Sequence, residues 1–274
     1  GRVALVTGAS RGVGKGIAVG LGEAGAIVYI TGRTVQPGTS PGGMGGTLGE
    51  VAAAVTQVGG TGIAVACDHT DDDQVRALFE RIQAEQARLD ILVNNVWGGY
   101  EHFYDGTRFW EEQGFWTSPI SRWDKSFHAG VRAHYVASVL AAPIMIAQGV
   151  GVIVNISFFA AQRDDKGVSY GAAKAADDRM AACMAHELRP HSVAAVSLYP
   201  GLVRTESVLA AGDFFDFANS ESPEFIGRAV AALAADPKIM AKSGQVLVAA
   251  QVALDYGYTD IDGKQPRPVT VAEA

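Results

Sequence analysis

The chain opens with Val3-Ala4-Leu5-Val6-Thr7-Gly8-Ala9-Ser10-Arg11-Gly12-Val13-Gly14, an apolar run that passes into a glycine-rich segment. The apolar run predicts a buried strand, and the residues behind it predict a helix. Glycines in such a strand-to-helix turn permit a tight bend and let the backbone approach a pyrophosphate, whose charge then lies at the helix N-terminus. A glycine-rich turn alone is a weak signal, but its place after a first strand makes it a strong one.

The same alternation of strand and helix continues along the whole chain. Strands are expected at 3–7, 26–31, 62–67, 89–94, 151–157, 193–198 and 245–248. Helices are expected near 13–24, 48–58, 71–87, 120–148, 168–189 and 223–235. Apolar strands without alternation, separated by helices, indicate a parallel sheet covered on both faces. The sequence therefore predicts a single doubly wound α/β domain of the Rossmann type over 1–274, with a seven-stranded parallel sheet and its ligand crevice at the carboxyl ends of the strands.

Composition excludes several classes of protein. Of 274 residues, 48% are hydrophobic and 19% are charged, and the net charge of −7 argues against a nucleic-acid partner. Glycine, proline or charge interrupts the apolar runs, which argues against a membrane span. Two cysteines, Cys67 and Cys183, are expected to be buried small hydrophobes, and their scarcity suits a reducing compartment. No leader precedes the first strand and no metal-ligand spacing is present, so we expect a cytoplasmic protein without a metal.

Two segments interrupt the alternation. Residues 35–47 are too rich in glycine and proline for regular structure, and residues 98–119 are aromatic and of mixed charge. Both follow strands, so both loop insertions are expected at the functional edge of the sheet. The aromatic segment predicts a substrate wall or lid, or alternatively a self-packed loop or subunit contact.

The end of the second strand distinguishes between two dinucleotides. An acidic residue there would bind the adenosine ribose of NAD, but the chain carries Gly32 followed by Arg33. The guanidinium of Arg33, together with Arg11 in the glycine-rich turn, would favour a 2′-phosphate. The sequence thus favours NADP(H) over NAD(H), and residues 35–47 either fold over this pocket or leave it open.

Tyr170 and Lys174 lie at the start of an Ala-rich helical stretch, four residues apart and so on one helical face. A phenol ionises near pH 10, and lowering that pKa by about three units takes roughly 4 kcal/mol of preferential stabilisation of the phenolate. A nearby ammonium in a partly desolvated cleft can supply much of it. By spacing alone the pair is more often an ordinary helical contact, so its meaning depends on the surrounding motifs.

Taken together, the motifs resemble the short-chain dehydrogenase/reductase family over nearly the whole chain. The matched pieces, in family order, are Thr7-Gly8-x-x-x-Gly12-x-Gly14, Asp68, Asn94-Asn95, Ser157, Tyr170-x-x-x-Lys174 and Pro200-Gly201-x-Val203-x-Thr205. Further segments, at 95–99, 116–119, 130–135 and 256–258, are similar to one subgroup of that family.

The resemblance implies a role for each matched residue. Tyr170 would be the general acid or base, Ser157 would orient the substrate oxygen, and Lys174 would tune Tyr170 and hold the nicotinamide ribose. The residues that it places around the dinucleotide are Gly8, Ser10, Arg11, Gly12, Val13, Gly14, Arg33, Asp68, His69, Asn95, Pro200, Gly201, Val203 and Thr205. It also implies a homodimer or homotetramer, formed through the helices at 120–148 and 168–189.

The chain departs from the family pattern at two points. Gly130 stands where many members have an Asn that holds a water of a proton relay, and the nearby His128 and His134 are expected to have surface or packing roles. The family serine matches Ser157 when counted back from Tyr170, but position 158, a phenylalanine, when counted from the strand. We favour Ser157. Trp97, in a turn where a small residue is common, would crowd the cleft or join the aromatic wall.

The predicted function is reduction of a ketone or aldehyde of a small-to-medium apolar substrate by an NADP(H)-dependent oxidoreductase. Two alternatives stay open. One is a protein that binds the nucleotide without turnover, as a sensor or scaffold, which Gly130 and Phe158 would explain. The other is an NAD-linked alcohol dehydrogenase, which requires Arg33 to point away from the ribose.

Overall fold

A parallel sheet of seven strands forms the centre of the molecule. The computed structural model describes residues 1–40, 43–99 and 114–274, and its strand order is β3-β2-β1-β4-β5-β6-β7. The strands are β1 (Val3–Val6), β2 (Ile27–Gly32), β3 (Thr61–Ala66), β4 (Ile91–Asn94), β5 (Gly151–Ile156), β6 (Val193–Tyr199) and β7 (Val246–Val248). The order reverses between β1 and β4, and ligands bind at such a switch point in doubly wound sheets.

Helices cover both faces of the sheet. They are α1 (Gly12–Glu23), α2 (Leu48–Gln57), α3 (Asp72–Gln86), α4 (Ile120–Lys125), α5 (Ala133–Gln148), α6 (Val168–Leu188), α7 (Glu206–Ala210), α8 (Pro223–Ala235) and α9 (Ala249–Tyr256). One hydrophobic cluster joins α1, α2, α8 and α9 to the sheet, and the other joins α3, α5 and α6 to the opposite face. In β1, Ala4 and Val6 belong to the first cluster and Val3 and Leu5 to the second, which explains the strand's continuous apolar sequence.

The predicted fold class is confirmed, and most predicted elements differ from the observed ones by only one or two residues at their ends. The helix predicted near 120–148 is present over Ile120–Gln148, but its part at Ser126–Arg132, between α4 and α5, is π-helical, which was not predicted. There, a Cβ at Gly98 would lie 2.7 Å from the Cβ of Ala129, so the loop after β4 presses directly on the helix. Single π-helical turns within longer helices are frequent at functional sites. The short helices α7 and α9 were not predicted.

The helical stretch Ile120–Gln148 is long and apolar enough, by length and composition alone, to cross a membrane. This differs from the expectation that every apolar run is too short. One face of α5, containing Ala137, Ala141 and Met145, packs in the core of the domain, and a core helix meets the same criterion.

The two cysteines differ, since Cys67 is buried and Cys183 is exposed, so the expectation of two buried thiols was wrong for Cys183. Burial raises the pKa of the Cys67 thiol to about 12, and the carboxylates of Asp68 and Asp71 add to this shift. The thiol of Cys67 is therefore protonated at neutral pH.

Residues 35–47 have no regular strand or α-helix in their described part, as predicted. They end at Thr47, which caps α2: its side chain accepts from the amide of Glu50, and the Glu50 carboxylate accepts from the amide of Thr47. Of the aromatic segment predicted at 98–119, residues 100–113 lie outside the described part of the chain. Phe115 and Trp116, which follow, are exposed.

Candidate active site

Tyr170 and Lys174 lie in the first two turns of α6, beside the carboxyl end of β5. The Lys174 side chain is only 8% exposed. Its ammonium donates to the carbonyl oxygen of Ile156, at 2.9 Å, and lies 3.3 Å from Oδ2 of Asp177. An ammonium has three N–H donors, and these contacts use two of them to hold it in place. Tyr170 is half-buried.

Trp97 lies against both residues of this pair. Its ring is 5.3 Å from the ring of Tyr170 in an edge-to-face arrangement, and the Lys174 ammonium is 4.5 Å from the Trp97 ring centre. A Cβ at Gly130 would lie 2.6 Å from the same ring. The Trp97 side chain thus fills the space that a side chain at position 130 would need, beside Tyr170 and Lys174.

Ser157 and Phe158 point to different sides at the end of β5. The Ser157 hydroxyl is buried and donates to the carbonyl oxygen of Lys174 at 3.1 Å. It also interacts with Asp178 and Tyr199, which hydrogen-bond to each other behind α6. The Phe158 ring lies 6.2 Å from the ring of Tyr170. The phenyl ring therefore faces the phenol, and the role of Ser157 as the substrate-orienting residue stays a prediction.

A buried histidine–aspartate pair lies next to Lys174. Nδ1 of His134, in α5, is 2.8 Å from Oδ1 of Asp177, and its Nε2 is 2.9 Å from the carbonyl oxygen of Val96. The side chains of His134 and Asp177 are 1% and 0% exposed. The sequence indicated no role for this histidine beyond surface or packing. His128, in the π-helical turn, is exposed.

The glycine-rich turn is packed tightly against the loop after β4. Gly8 has a φ of +65°, and a Cβ there would lie 2.7 Å from the Cα of Val96, so no other residue fits without displacing the backbone. The Asn95 side-chain amide donates to the carbonyl oxygens of Thr7 and Gly8, at 2.9 and 3.0 Å. Asn95 therefore fixes the shape of the turn that was predicted to surround the phosphates.

The N-terminus of α1 already binds an anion of the protein itself. The amide of Gly12, the first residue of α1, donates to Oε2 of Glu206 at 2.9 Å, and Oε1 of Glu206 lies 3.9 Å from the ammonium of Lys15. Ser10 and Val13 flank this helix end in sequence, and Gly14, the third glycine, is buried. A carboxylate thus shows that the helix end can hold negative charge, as a bound pyrophosphate would require.

The described part of 35–47 folds back onto the glycine-rich turn. Arg11 donates to the carbonyl oxygen of Gly45 at 3.2 Å and to the Thr34 hydroxyl at 2.8 Å. Arg33, at the end of β2, is exposed and lies near enough to Asp68 to help lower the pKa of that carboxyl. Both predicted cations thus lie at the same edge of the sheet, beyond the ends of β1 and β2.

Asp68 and His69 follow β3 at this edge. Burial opposes the ionisation of Asp68, but hydrogen bonds from Thr70 lower its pKa overall. His69 is 2% exposed, and its Nε2 lies 2.8 Å from the Thr31 hydroxyl. Burial first, and then the charge of His134, lower the pKa of His69 to about 4, so this imidazole is neutral at pH 7.

The segment after β6 carries the other predicted dinucleotide contacts. Pro200 is buried, and the Gly201 amide donates to Oε2 of Glu221 at 2.7 Å. Val203 pairs with Glu221 through a single β-bridge, and Thr205 caps α7. Burial raises the pKa of the Glu221 carboxyl to about 7. This buried acid therefore holds the segment in place, a role that the sequence did not indicate.

The structure brings Tyr170 and Lys174 together with Trp97, His134 and Asp177. Of these five, Tyr170 and Lys174 were predicted as catalytic, and Trp97 was predicted to crowd the cleft or join its aromatic wall. Asp177 could have been suspected, because an acid three residues after Lys174 faces the core side of an Ala-rich helix and so needs a partner. Nothing in the sequence identified His134 as that partner, since the two residues are 43 positions apart.

Known proteins were compared with the chain. The family model for short chain dehydrogenases matches residues 2–213. Dehydrogenase/reductase SDR family member 1 of Mus musculus is 43% identical, over 96% of this chain and 84% of that protein. The 7alpha-hydroxysteroid dehydrogenase of Escherichia coli (strain K12) is 28% identical, over 76% and 73%. A solved 7 alpha-hydroxysteroid dehydrogenase complexed with NADH and 7-oxo glycochenodeoxycholic acid has a TM-score of 0.74 and 26% identity, over 90% and 92%.

A doubly wound sheet with a glycine-rich turn at α1 and a Tyr–Lys pair on α6 defines a class of nicotinamide-dependent oxidoreductases. The chain belongs to the short-chain dehydrogenase family, as its sequence motifs indicated, and the enzymes of this family act on small molecules with a nicotinamide cofactor. Within the family it is similar to the member 1 proteins of mouse and human, at 43% and 41% identity, which is the subgroup that the further sequence segments resembled.

Proposed function

We propose that the protein reduces a ketone or aldehyde with NADPH, and that Tyr170 gives the proton to the carbonyl oxygen. The observation that carries the proposal is the placement of Lys174. Its buried ammonium is fixed by the carbonyl oxygen of Ile156 and by Asp177, one helical turn from the half-buried Tyr170. A fixed positive charge in a partly desolvated cleft favours the phenolate form and so makes the phenol a usable acid near neutral pH.

The residues present fit a bound dinucleotide. The N-terminus of α1 holds a carboxylate at Gly12, so it can hold a phosphate, and Lys174, whose contacts described above use two of its three N–H donors, would bind the nicotinamide ribose. When bound, the reduced nicotinamide supplies a hydride to the carbonyl carbon. Tyr170 holds the carbonyl oxygen and transfers its proton to it, and Lys174 stabilises the phenolate that is left.

The test is NADPH consumption with a panel of ketones, quinones and aldehydes, using wild type, Tyr170→Phe and Tyr135→Phe. Tyr135 is 57% exposed on α5, so its variant loses a hydroxyl away from the cleft and serves as the matched control. We expect turnover in wild type and in the control, and a loss of a hundredfold or more in Tyr170→Phe. Turnover that survives in Tyr170→Phe would contradict the proposal.

We propose NADP(H) over NAD(H) because Arg33 and Arg11 lie at the ends of β2 and β1 and no carboxylate replaces Gly32. The solved steroid dehydrogenase was complexed with NADH, so the preference needs its own measurement. Arg33→Ala is expected to weaken NADPH binding at least tenfold, as loss of a charge-assisted hydrogen bond implies, and to leave NADH binding within twofold. An equal loss for both nucleotides, or tighter binding of NADH by wild type, would favour the NAD-linked alcohol dehydrogenase.

The substrate class follows from the walls of the cleft. Around Tyr170 lie the rings of Trp97 and Phe158, at 5.3 and 6.2 Å between ring centres. Aromatic faces bind apolar bodies, so we propose a carbonyl group on a small-to-medium apolar molecule. Similarity to a protein solved in complex with 7-oxo glycochenodeoxycholic acid makes a cyclic ketone the first member of the panel.

A second candidate is a protein that binds NADP(H) without turnover. Two observations favour it. The Ser157 hydroxyl is hydrogen-bonded to the carbonyl oxygen of Lys174 rather than directed at a substrate, and the Trp97 ring occupies the space beside Gly130. Tight NADPH binding, with no consumption over the whole panel and the same nucleotide affinity in Tyr170→Phe, would support this candidate.

We also propose a homodimer formed through α4, α5 and α6. Trp123, Tyr135 and Val139 are exposed on the first part of this surface, and they continue a groove that Met180 of α6 lines. Such exposed aromatic residues are typical of interfaces. Light scattering at micromolar concentration should give twice the chain mass in wild type and a monomer in Tyr135→Glu, and a monomeric wild type would contradict the proposal.

A further inference from the structure

Three buried ionisable side chains form a continuous chain beneath the cleft. Lys174, Asp177 and His134 are 8%, 0% and 1% exposed, and the contacts between neighbouring members are 3.3 and 2.8 Å. The contacts continue from Nε2 of His134 to the carbonyl oxygen of Val96, the residue before Trp97. Since Trp97 contacts both Tyr170 and Lys174, the chain of contacts returns to its starting point.

The hydrogen bonds of His134 determine its charge. Nδ1 faces the carboxylate of Asp177 and Nε2 faces the carbonyl oxygen of Val96, and neither partner has a proton to donate. An imidazolium, which donates through both ring nitrogens, matches both of these contacts. The Asp177 carboxylate would then lie between this cation and the Lys174 ammonium, which is the kind of pairing that a fully buried carboxylate needs.

The charge balance of the chain bears directly on Tyr170. Lys174 alone would favour the phenolate, but a carboxylate at 3.3 Å cancels most of its effect. The imidazolium of His134 compensates for that carboxylate, so two cations and one anion leave one net positive charge next to Tyr170. Without the charge on His134, the net charge of the group would be zero.

Other ionisable groups near His134 do not change this balance. His69, after β3, is close enough to respond to the charge of His134 but is neutral at pH 7, because burial and that charge lower its pKa to about 4. Among the described residues of the loop after β4, Val96 contacts His134 through its backbone, and β5 contributes the neutral Asn155, whose amide donates to the carbonyl oxygen of Asp177. On α6 the ionisable neighbours are Lys174, Asp177 and Asp178. Asp178 is hydrogen-bonded to Tyr199, and burial raises the pKa of its carboxyl, which disfavours its charged form.

We propose that His134 and Asp177 are positioning residues that act through Lys174: Asp177 fixes the ammonium, and the charged His134 preserves the net positive charge that makes Tyr170 a stronger acid. This inference rests on the proposed role of Tyr170 and extends it to Asp177 of the same helix and to His134 of α5. It predicts that the acid strength of Tyr170 depends on the net charge of this group rather than on the presence of the histidine.

Charge complementation tests the inference. His134→Gln leaves Asp177 and Lys174 as a neutral pair, so the pH midpoint of kcat/KM for carbonyl reduction should move up by about one unit. His134→Gln with Asp177→Asn leaves only the Lys174 charge, so the midpoint should return to within about 0.3 unit of wild type. His128→Gln changes an exposed histidine of the same helical stretch and should leave the midpoint in place. An unchanged midpoint in His134→Gln, or a shift that persists in the double variant, would overturn the inference.

Two measurements do not depend on turnover. The near-ultraviolet phenolate absorbance of cofactor-free protein, with Tyr170→Phe subtracted, follows the ionisation of Tyr170 directly and should shift as the kinetic midpoint does. Ring-nitrogen NMR of histidine-labelled wild type should show one doubly protonated histidine at neutral pH, and this readout needs no variant that folds poorly. The absence of a doubly protonated histidine from the spectrum would overturn the proposed charge on His134.

The outcomes separate the two proposals. Turnover that survives in Tyr170→Phe refutes the proposed function, while the absorbance titration still measures the effect of His134 on Tyr170. Turnover that depends on Tyr170 but shows the wild-type pH profile in His134→Gln refutes this inference alone.

Discussion

Replacing Glu206 by Gln should strengthen the binding of NADPH while slightly destabilising the protein. The Glu206 carboxylate accepts from the amide of Gly12 at 2.9 Å, at the helix end where a pyrophosphate would bind. Two negative charges must then share one helix N-terminus. Gln keeps the hydrogen-bond acceptor and removes the repulsion, so the effect on affinity isolates the charge.

The size of the effect follows from Coulomb's law. Two negative unit charges taken as about 5 Å apart, in an environment close to water, repel each other by about 1 kcal/mol. The Glu206 side chain is 36% exposed and its ion pair with Lys15 is 3.9 Å long, so neither burial nor pairing changes this value greatly. We therefore expect the Kd for NADPH to fall about fivefold in Glu206→Gln. Loss of the charge at the helix end should cost about 0.5 kcal/mol, or a Tm lower by about 1 to 2 °C.

Fluorescence titration of NADPH at low and high salt measures the affinity, and calorimetry measures the Tm. The affinity gain should shrink as salt rises, since an exposed charge is screened. Asp72→Asn is the matched control: Asp72 is also an acid in a first helical turn, that of α3 on the opposite face of the sheet. It should lower Tm without changing affinity. Unchanged or weaker NADPH binding by a folded Glu206→Gln would refute the reasoning.

Three further predictions concern the cleft and the segment after β6. Ser157→Ala should reduce kcat for carbonyl reduction by about tenfold, much less than Tyr170→Phe does, because the Ser157 hydroxyl donates to a backbone carbonyl oxygen. A loss as large as that of Tyr170→Phe would show that the Ser157 hydroxyl turns into the cleft. Gly130→Asn should lower the free energy of unfolding, measured in urea, by about 1 to 3 kcal/mol, because a Cβ at position 130 meets the Trp97 ring at 2.6 Å. Adding Trp97→Ala should restore part of the lost free energy. With a pKa of about 7 in the folded protein, Glu221 binds its proton more tightly there than in the unfolded chain, so the stability it contributes is lost as pH rises from about 4.5 to 7. Glu221→Gln should remove this part of the pH dependence of Tm, and identical slopes in both proteins would contradict the assignment.

The fold could be predicted because its signals are local. In β1, Val3 and Leu5 pack on one face and Ala4 and Val6 on the other, so an uninterrupted apolar run indicates a strand covered on both sides. The Tyr170–Lys174 pair could be predicted equally well from the sequence, because four positions on a helix correspond to about one turn. Each of these inferences needs only neighbouring residues.

Contacts between distant parts of the chain could not be predicted in this way. The Gly12 amide and the Glu206 carboxylate are 194 positions apart, and no periodicity relates them. The π-helical turn at Ser126–Arg132 could not be predicted for the same reason. It lies where Gly98 packs closely against Ala129, and no residue type within the turn indicates a π-helix. Such features depend on how separate elements meet.

The packing of Trp97 against Gly130 shows why the lack of the family's Asn at position 130 does not by itself imply a loss of function. With the Trp97 ring in place, a Cβ at position 130 would lie 2.6 Å away, so this tryptophan requires a glycine there, and the two residues form one structural unit. A side chain at position 130 therefore cannot carry a proton in this protein, because glycine has no side chain and the Trp97 ring occupies the space that one would need. The same ring contacts Lys174 and Tyr170, and its neighbour Val96 accepts the hydrogen bond of His134. In place of a side-chain amide at position 130, the described part of the cleft has an aromatic ring backed by Lys174, Asp177 and His134, and these are the groups on which the proposed control of the acid strength of Tyr170 rests.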